Sequence, residues 1–206
     1  MKMKWTIALA FVFALSAFTP LQQENKGYQT GDEVADFSLK NINGKMVSMA
    51  NFKSAKGFIV VFTCNHCPFS QAYESRIIDL HKRYQPKGWP VIAINPNDAV
   101  REPEDSYANM QKRALEKKYP FPYLHDATQE VARRFGATRT PHVFLIKKAD
   151  NKFVLHYIGA IDDNSEEPEN VQQRYVETAI AELEAGASVT RQVTKAIGCG
   201  IKWKKN

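Results

Sequence analysis

Two cysteines separated by two residues are the part of this sequence best suited to chemistry. The motif Cys64-Asn65-His66-Cys67 follows an apolar run, Gly57 to Phe62, and precedes an amphipathic stretch that starts at Pro68. A helix that begins beside a sulfur offers it unpaired backbone N–H groups and the positive end of the helix dipole. Both favour the thiolate, which is the attacking species in disulfide exchange. We therefore predict that Cys64, the more exposed partner, is the nucleophile and that Cys67 resolves the mixed disulfide.

His66 lies directly before Cys67, and its position predicts a tuning role. A cationic imidazole stabilises a neighbouring thiolate and makes the disulfide form more oxidising. The alternative is an ordinary solvated loop histidine. The motif alone also fits an inert disulfide or a zinc site. Zinc is disfavoured because the chain has no second CxxC and Cys199 is the only other thiol.

The dipeptide Thr140-Pro141 stands at the entrance to an apolar run, His142 to Ile146. Beside a strand–CxxC–helix element, we predict that its peptide bond is cis and lies near the sulfurs. The Thr140 backbone would then be free to pair with an extended substrate segment.

Cys199 lies between two glycines near the end of the chain and allows three hypotheses. It is a thiol packed on the domain, an extra resolving or regulatory thiol near the active site, or a site of intermolecular pairing. An odd count of three cysteines in an exported protein points to at least one thiol that is free or changes partner.

The first residues have the three-part pattern of a secretory signal. A basic start, Met1 to Lys4, precedes an apolar run from Trp5 to Ala17. That run is about 13 residues long, and roughly 20 are needed to span a bilayer as a helix. We predict a signal peptide at residues 1–17 and a periplasmic or secreted protein, with an uncleaved N-terminal anchor as the alternative. Such an oxidising compartment suits a redox pair.

Composition places the rest of the chain in one ordinary globular domain. The 206 residues are 44% hydrophobic and 24% charged, which excludes disordered and fibrous classes. We predict a flexible segment at residues 18–30 and one domain at residues 31–206. The formal charge of +6 is scattered, and the basic end, residues 202–205, is interpreted as a solvated tail. We therefore expect no nucleic-acid partner and no stable membrane insertion after signal cleavage.

Apolar periodicity predicts the elements that position the cysteines. An amphipathic helix follows Pro68, and its stripe consists of Phe69, Tyr73, Ile77, Leu80 and Tyr84. Further helices are predicted at Pro103 to Tyr119, Thr128 to Phe135 and Val171 to Leu183. Strands or extended pieces are predicted around residues 37–39, 46–48, 57–62, 91–94, 121–124, 142–146 and 153–158. The alternation of strands and helices predicts a parallel core with an antiparallel edge.

Together these motifs resemble the thioredoxin superfamily, and within it the redoxin branch of alkyl hydroperoxide reductase and thiol-specific antioxidant proteins. The matching segments are residues 35–39, the Cys64-Asn65-His66-Cys67-Pro68 core, residues 121–126, residues 128–132, Thr140-Pro141 and the ending from Gly198 to Trp203. The resemblance implies an α/β thioredoxin fold with a mixed sheet flanked by helices, an N-terminal β-hairpin and a central insertion at about residues 97–126. Thiol–disulfide exchange needs no organic cofactor, and we expect no bound metal. Expected partners are thiol- or disulfide-bearing proteins and a redox partner protein.

The chain also departs from the family patterns. Thioredoxin has Trp before its first active-site cysteine and a buried Asp six residues ahead, where this chain has Thr63 and Phe58. The peroxiredoxin motif places a hydroxyl residue three positions before its cysteine, where this chain has Val61. We therefore predict an exported thiol–disulfide oxidoreductase. The alternatives are a thiol peroxidase and a copper-binding metallochaperone that would use the cysteine pair with His142.

Overall fold

The computed structural model describes residues 27–150 and 152–205. The predicted signal peptide lies outside the described residues, as do residues 18–26 of the predicted flexible segment. Of the remaining part, Tyr28 packs its ring edge-on against Phe135 and donates its N–H to the Arg134 carbonyl. Within the two described ranges, no helix combines the length and the apolar character needed to cross a membrane.

Within the described residues, seven strands form one mixed sheet, and two short strands form a second. The large sheet contains β1 (Leu39–Asn41), β2 (Met46–Val47), β3 (Gly57–Phe62), β4 (Val91–Asn95), β5 (Tyr123–His125), β7 (His142–Ala149) and β8 (Lys152–Gly159). Its strand order is β2-β1-β5-β4-β3-β7-β8. The small sheet pairs β6 (Arg139–Thr140) with β9 (Cys199–Gly200). The helices are α1 (Pro68–Tyr84), α2 (Tyr107–Lys117), α3 (Glu130–Phe135) and α4 (Tyr175–Glu184).

The central strand β3 explains why the core forms here. All six of its residues are buried, because the sheet is covered on both faces. Ile59 and Val61 belong to one apolar cluster, and Phe58, Val60 and Phe62 belong to the other. β3 pairs in parallel with β4, as the alternating pattern predicted, and it pairs antiparallel with β7.

Helix α1 begins where predicted and packs its apolar stripe on the sheet. Pro68 occupies its first turn, where the missing N–H costs little. Tyr73, Ile77 and Leu80 are at most 2% exposed. Each such burial contributes roughly 1.5–3 kcal/mol relative to an exposed side chain. This packing fixes the start of α1, and therefore the CxxC motif, at the end of β3.

The topology confirms the predicted thioredoxin fold. β1 and β2 form the N-terminal hairpin, and α2 lies in the central insertion between β4 and β5. β4 and β5 pair in parallel, and β7 and β8 form the antiparallel edge.

Three predicted helices start later than expected, and α3 does so by two residues, at Glu130 instead of Thr128. Residues 103–105 form a separate turn of 3-10 helix, and α2 begins only after Ser106, whose hydroxyl accepts the Asn109 N–H at 3.4 Å. The last helix begins at Tyr175, and the backbone of Val171, where the helix was predicted to start, is extended. The Gln172 N–H donates to the Asp163 side chain, and the Asp163 N–H donates to the Gln173 carbonyl. Both bonds hold the backbone before the helix in place.

The C-terminal segment after α4 returns to the sheet and carries Cys199 to the other cysteines. Thr194 and Gln192 hydrogen-bond the backbone of Ile158 on β8. Further along, β9 pairs antiparallel with β6, with Thr140 opposite Cys199. No sequence pattern predicts this second sheet.

Candidate active site

The three cysteines lie together, but their disulfide is not the Cys64–Cys67 bond that the motif predicts. Cys67 forms a disulfide with Cys199, with 6.0 Å between their Cα atoms, and Cys64 is free. Of the three hypotheses for Cys199, the structure therefore favours a thiol at the active site. Cys64 is 3% exposed and Cys67 is fully buried, so the predicted nucleophile is only slightly the more exposed of the two. Cys199 is half-buried.

The end of β3 and the start of α1 position the first two sulfurs. The Thr63 N–H donates to the Ile94 carbonyl at 2.8 Å, which continues the β3–β4 pairing up to the motif. Cys67 is the N-cap residue of α1, and its carbonyl accepts the Gln71 N–H at 2.9 Å. The motif is therefore the turn between a buried strand and a helix N-terminus, as the sequence predicted.

The Cys64 sulfur is surrounded by polar groups. It lies 3.1 Å from the Thr140 hydroxyl and 3.7 Å from the Ser70 hydroxyl. A His66 ring nitrogen and an Asp105 carboxylate oxygen lie within 4.8 Å of it and of each other. This chain has Val61 where the peroxiredoxin pattern has a hydroxyl residue. The structure instead brings the hydroxyls of Thr140 and Ser70 to the Cys64 sulfur. No local sequence pattern indicates either contact.

His66 is held between Cys64 and two acidic residues. Its Nδ1 lies 2.6 Å from a buried Asp105 oxygen, and its Nε2 lies 3.6 Å from a Glu102 oxygen. Hydrogen bonding to Cys64 raises the pKa of His66 to about 9, with burial opposing and Asp105 adding to the rise. The imidazole is therefore cationic at neutral pH. Its side chain is only 15% exposed, which does not fit a solvated loop histidine.

Asp105 is a functional candidate that the sequence analysis missed. Its two oxygens accept hydrogen bonds from the Asn65 N–H at 2.5 Å and from His66, and it is fully buried. Two further bonds come from the side chains of Asn95 and Asn97. In the sequence, Asp105 reads as an acid in the first turn of a helix, where it would complement the dipole. Only the break before Ser106 turns its carboxylate toward the motif.

The Thr140-Pro141 peptide bond is cis, as predicted, and lies beside the sulfurs. The expectation that the Thr140 backbone is free for a substrate strand is wrong in this state. β9 of the same chain pairs with it, in register with Cys199. A Cβ on Gly198 would lie 2.2 Å from the Thr140 carbonyl oxygen, so the close approach of this segment requires glycine there.

The copper alternative receives little support from the geometry. Cys67 offers no thiolate while it is bonded to Cys199. His142 is buried against Phe144, and burial, with help from nearby Arg139, lowers its pKa to about 4. The donors of Cys64, His66 and Asp105 are close enough to share an ion, but the last two already hydrogen-bond each other.

Comparisons with known proteins agree with the fold. The chain is 26% identical over 145 residues to thiol-disulfide oxidoreductase ResA of Oceanobacillus iheyensis, covering 68% of this chain and 70% of that protein. It is 27% identical over 108 residues to chloroplastic peroxiredoxin Q of Triticum aestivum, covering 52% of this chain and 45% of that protein.

Two solved structures resemble nearly the whole domain. An uncharacterized conserved protein from Geobacillus kaustophilus is 37% identical, with a TM-score of 0.78, covering 86% of this chain and 94% of that one. A hypothetical protein from Sinorhizobium meliloti is 32% identical, with a TM-score of 0.78, covering 87% and 97%. A model of the AhpC/TSA family matches residues 30–153, which is more than half of the sequence. The chain therefore belongs to the AhpC/TSA family.

Proposed function

We propose that this protein is an exported thiol–disulfide oxidoreductase that acts on thiol- or disulfide-bearing proteins. One observation carries the proposal. A free sulfur, Cys64, lies beside a cationic His66 at the start of α1, and Cys67 in the same motif is already engaged in a disulfide. An imidazolium beside a sulfur supports the thiolate that exchange requires. The similarity to a protein named thiol-disulfide oxidoreductase supports the same chemistry.

In the proposed mechanism, the fully reduced protein attacks a substrate disulfide with the Cys64 thiolate. One substrate sulfur leaves as a thiolate, and the other forms a mixed disulfide with Cys64. The Cys67 thiolate then attacks the Cys64 sulfur and releases the second substrate thiolate. Two electrons pass from the protein pair to the substrate, and the reverse sequence oxidises a substrate dithiol.

Insulin reduction with dithiothreitol as electron donor tests this proposal. We expect Cys64→Ser to reduce the rate to that of dithiothreitol alone, because the attacking sulfur is lost. Leu115→Ser changes a side chain that is 80% exposed on α2 and serves as the matched control. The proposal fails if Cys64→Ser and Leu115→Ser reduce insulin equally fast.

A thiol peroxidase is the second candidate, and the surroundings of Cys64 favour it. A sulfur that is 3% exposed, with a hydroxyl at 3.1 Å, is accessible to a small hydroperoxide more readily than to a folded protein. The test is the second-order rate constant for oxidation of Cys64 by hydrogen peroxide. A value at least a thousandfold above that of free cysteine, together with slow insulin reduction, selects the peroxidase. A value near that of free cysteine eliminates it.

Export is the remaining part of the proposal and rests on the N-terminal sequence pattern. Expression of the full chain in a Gram-negative host, followed by fractionation and N-terminal sequencing, tests it. We expect periplasmic protein cut after Ser16 or Ala17. Membrane-bound protein that retains Lys2 and Lys4 supports the uncleaved anchor.

A further inference from the structure

We propose that Cys199 is a third redox thiol, which takes over the disulfide from the Cys64–Cys67 pair and returns Cys64 to its reduced form. The proposal rests on the proposed function and extends it from two sulfurs to three. The resting oxidised protein then contains the Cys67–Cys199 disulfide seen in the structure.

Thr140 is the point around which the three sulfurs gather. Its hydroxyl lies 3.1 Å from the Cys64 sulfur, and its carbonyl oxygen lies 3.2 Å from the Cys67 sulfur. Its backbone is paired with Cys199 across the β6–β9 ladder. One fully buried residue therefore contacts all three cysteines, which places Cys199 within reach of any disulfide formed in the motif.

Cys199 is held in this position by the segment that follows it. The Ile201 N–H donates to the Thr138 carbonyl at 3.2 Å, and the Lys202 N–H donates to the Asn97 side chain at 2.8 Å. The Lys204 N–H donates to the Gln129 side chain at 2.8 Å. The indole of Trp203 lies under the Arg133 guanidinium, 4.4 Å from it. The predicted solvated tail is thus anchored on the domain, as a positioned thiol requires.

The transfer step is a thiol–disulfide exchange within the chain. The Cys199 thiolate attacks the Cys67 sulfur of the Cys64–Cys67 disulfide, the bond between those two sulfurs breaks, and its electron pair leaves on Cys64. The number of disulfides is unchanged, so no external oxidant is needed. Exchange is faster when the leaving thiolate is stabilised. Cys64 leaves next to the imidazolium of His66, which favours transfer in this direction.

Exposure of the sulfurs indicates which of them an external reductant attacks. Cys67 is fully buried, whereas Cys199 is half-buried in a strand whose other residue, Gly200, is exposed. A dithiol reductant therefore attacks the Cys199 sulfur and releases Cys67 as a thiolate. The reductant's second thiol completes the reduction of Cys199. Substrate chemistry at Cys64 and reduction at Cys199 are then separate events at separate sulfurs.

A single-turnover experiment on the signal-free chain (residues 18–206) tests the proposal. Fully reduced protein is mixed with oxidised glutathione, quenched with acid at intervals, alkylated, and mapped by peptide mass spectrometry. In the wild type we expect a glutathione adduct on Cys64, then a Cys64–Cys67 disulfide, and finally Cys67–Cys199 with Cys64 alkylated. Cys199→Ser should stop at Cys64–Cys67.

The outcomes separate this proposal from the proposed function. If the wild type ends at Cys64–Cys67 with Cys199 alkylated, the third-thiol proposal is overturned and the proposed function stands. The third-thiol proposal is also overturned if Cys67–Cys199 persists in excess dithiothreitol, because the bond is then a structural disulfide that takes no part in exchange. If glutathione forms no adduct on Cys64 in any variant, the proposed function itself fails.

Discussion

His66 is the residue whose contacts bear most directly on the reactivity of Cys64. It is fixed by Asp105 through one ring nitrogen, and its raised pKa of about 9 is due first to Cys64. A cation held in place by a buried acid favours a thiolate at any pH at which the ring stays protonated. The fixed imidazolium is therefore the contact that supports the proposed reactivity of Cys64, which is 3% exposed.

Removing this cation should slow the alkylation of Cys64 at neutral pH. Oxidised wild type has Cys64 as its free thiol, so iodoacetamide reports on it directly. We expect His66→Gln to lower the rate constant for alkylation of Cys64 at pH 7 severalfold or more, because the neutral amide no longer supports the thiolate. His156→Gln, a partly buried histidine on β8, is the matched control. Equal rate constants for His66→Gln and the wild type would contradict this role.

His142 makes a separate prediction about stability. Its folded pKa of about 4 lies below the value near 6.5 of an unfolded histidine. Between these values the unfolded chain binds a proton that the folded protein does not. The free energy of unfolding therefore decreases as the pH falls from about 6.5 to about 4, by up to about 3 kcal/mol from this residue. The free energies of unfolding of the wild type and of His142→Gln, measured with urea and plotted against pH, should therefore converge over this range. Parallel curves would show that His142 does not titrate in this way.

At the scale of the elements, the pairing of β6 with β9 places Cys199 opposite Thr140, where Cys199 is bonded to Cys67. This two-residue ladder depends on the absence of a side chain at Gly198, where a Cβ would meet the Thr140 carbonyl oxygen. A Cβ on Gly200 meets nothing within 4 Å. The two glycines flank Cys199 and offer a matched pair of substitutions.

We expect Gly198→Ala to displace β9 and to shift the oxidised protein toward Cys64–Cys67. Gly200→Ala should retain Cys67–Cys199 as the main species, because its methyl group points into open space. Mass-spectrometric mapping after oxidation with glutathione disulfide measures the ratio of the two bonds. A tenfold or larger difference in that ratio between the variants is the expected result. Equal ratios would show that the ladder does not control pairing.

The elements that the sequence predicted well are those with local causes. The apolar run of β3 and the three-and-four spacing of α1 depend on neighbouring residues, and both elements have the predicted positions. The β6–β9 ladder joins residues 59 or more positions apart along the chain through two residues on each side, which leaves no periodic signal. Asp105 was missed for a related reason, since its role depends on a helix break and a contact 39 residues away.

For the whole molecule, the Cys67–Cys199 bond joins the start of α1 to the end of the chain. The two cysteines are 132 positions apart, so the bond encloses β4, the insertion, β7, β8 and α4. A crosslink across a loop of that length removes much conformational freedom from the unfolded chain. A Cys64–Cys67 bond closes only a four-residue loop and constrains the unfolded chain far less. The choice of disulfide partner is thereby coupled to the stability of the domain.

Stability should therefore report which disulfide is present. On chain entropy alone, reducing the wild type should lower its free energy of unfolding by up to about 5 kcal/mol, for the 132-residue separation. Reducing oxidised Cys199→Ser, which can form only Cys64–Cys67, should lower it by less than about 2 kcal/mol. Urea unfolding with and without dithiothreitol measures both differences. If the two proteins lose the same free energy on reduction, the long-range bond does not form in solution, and the protein works with the two sulfurs of its motif alone.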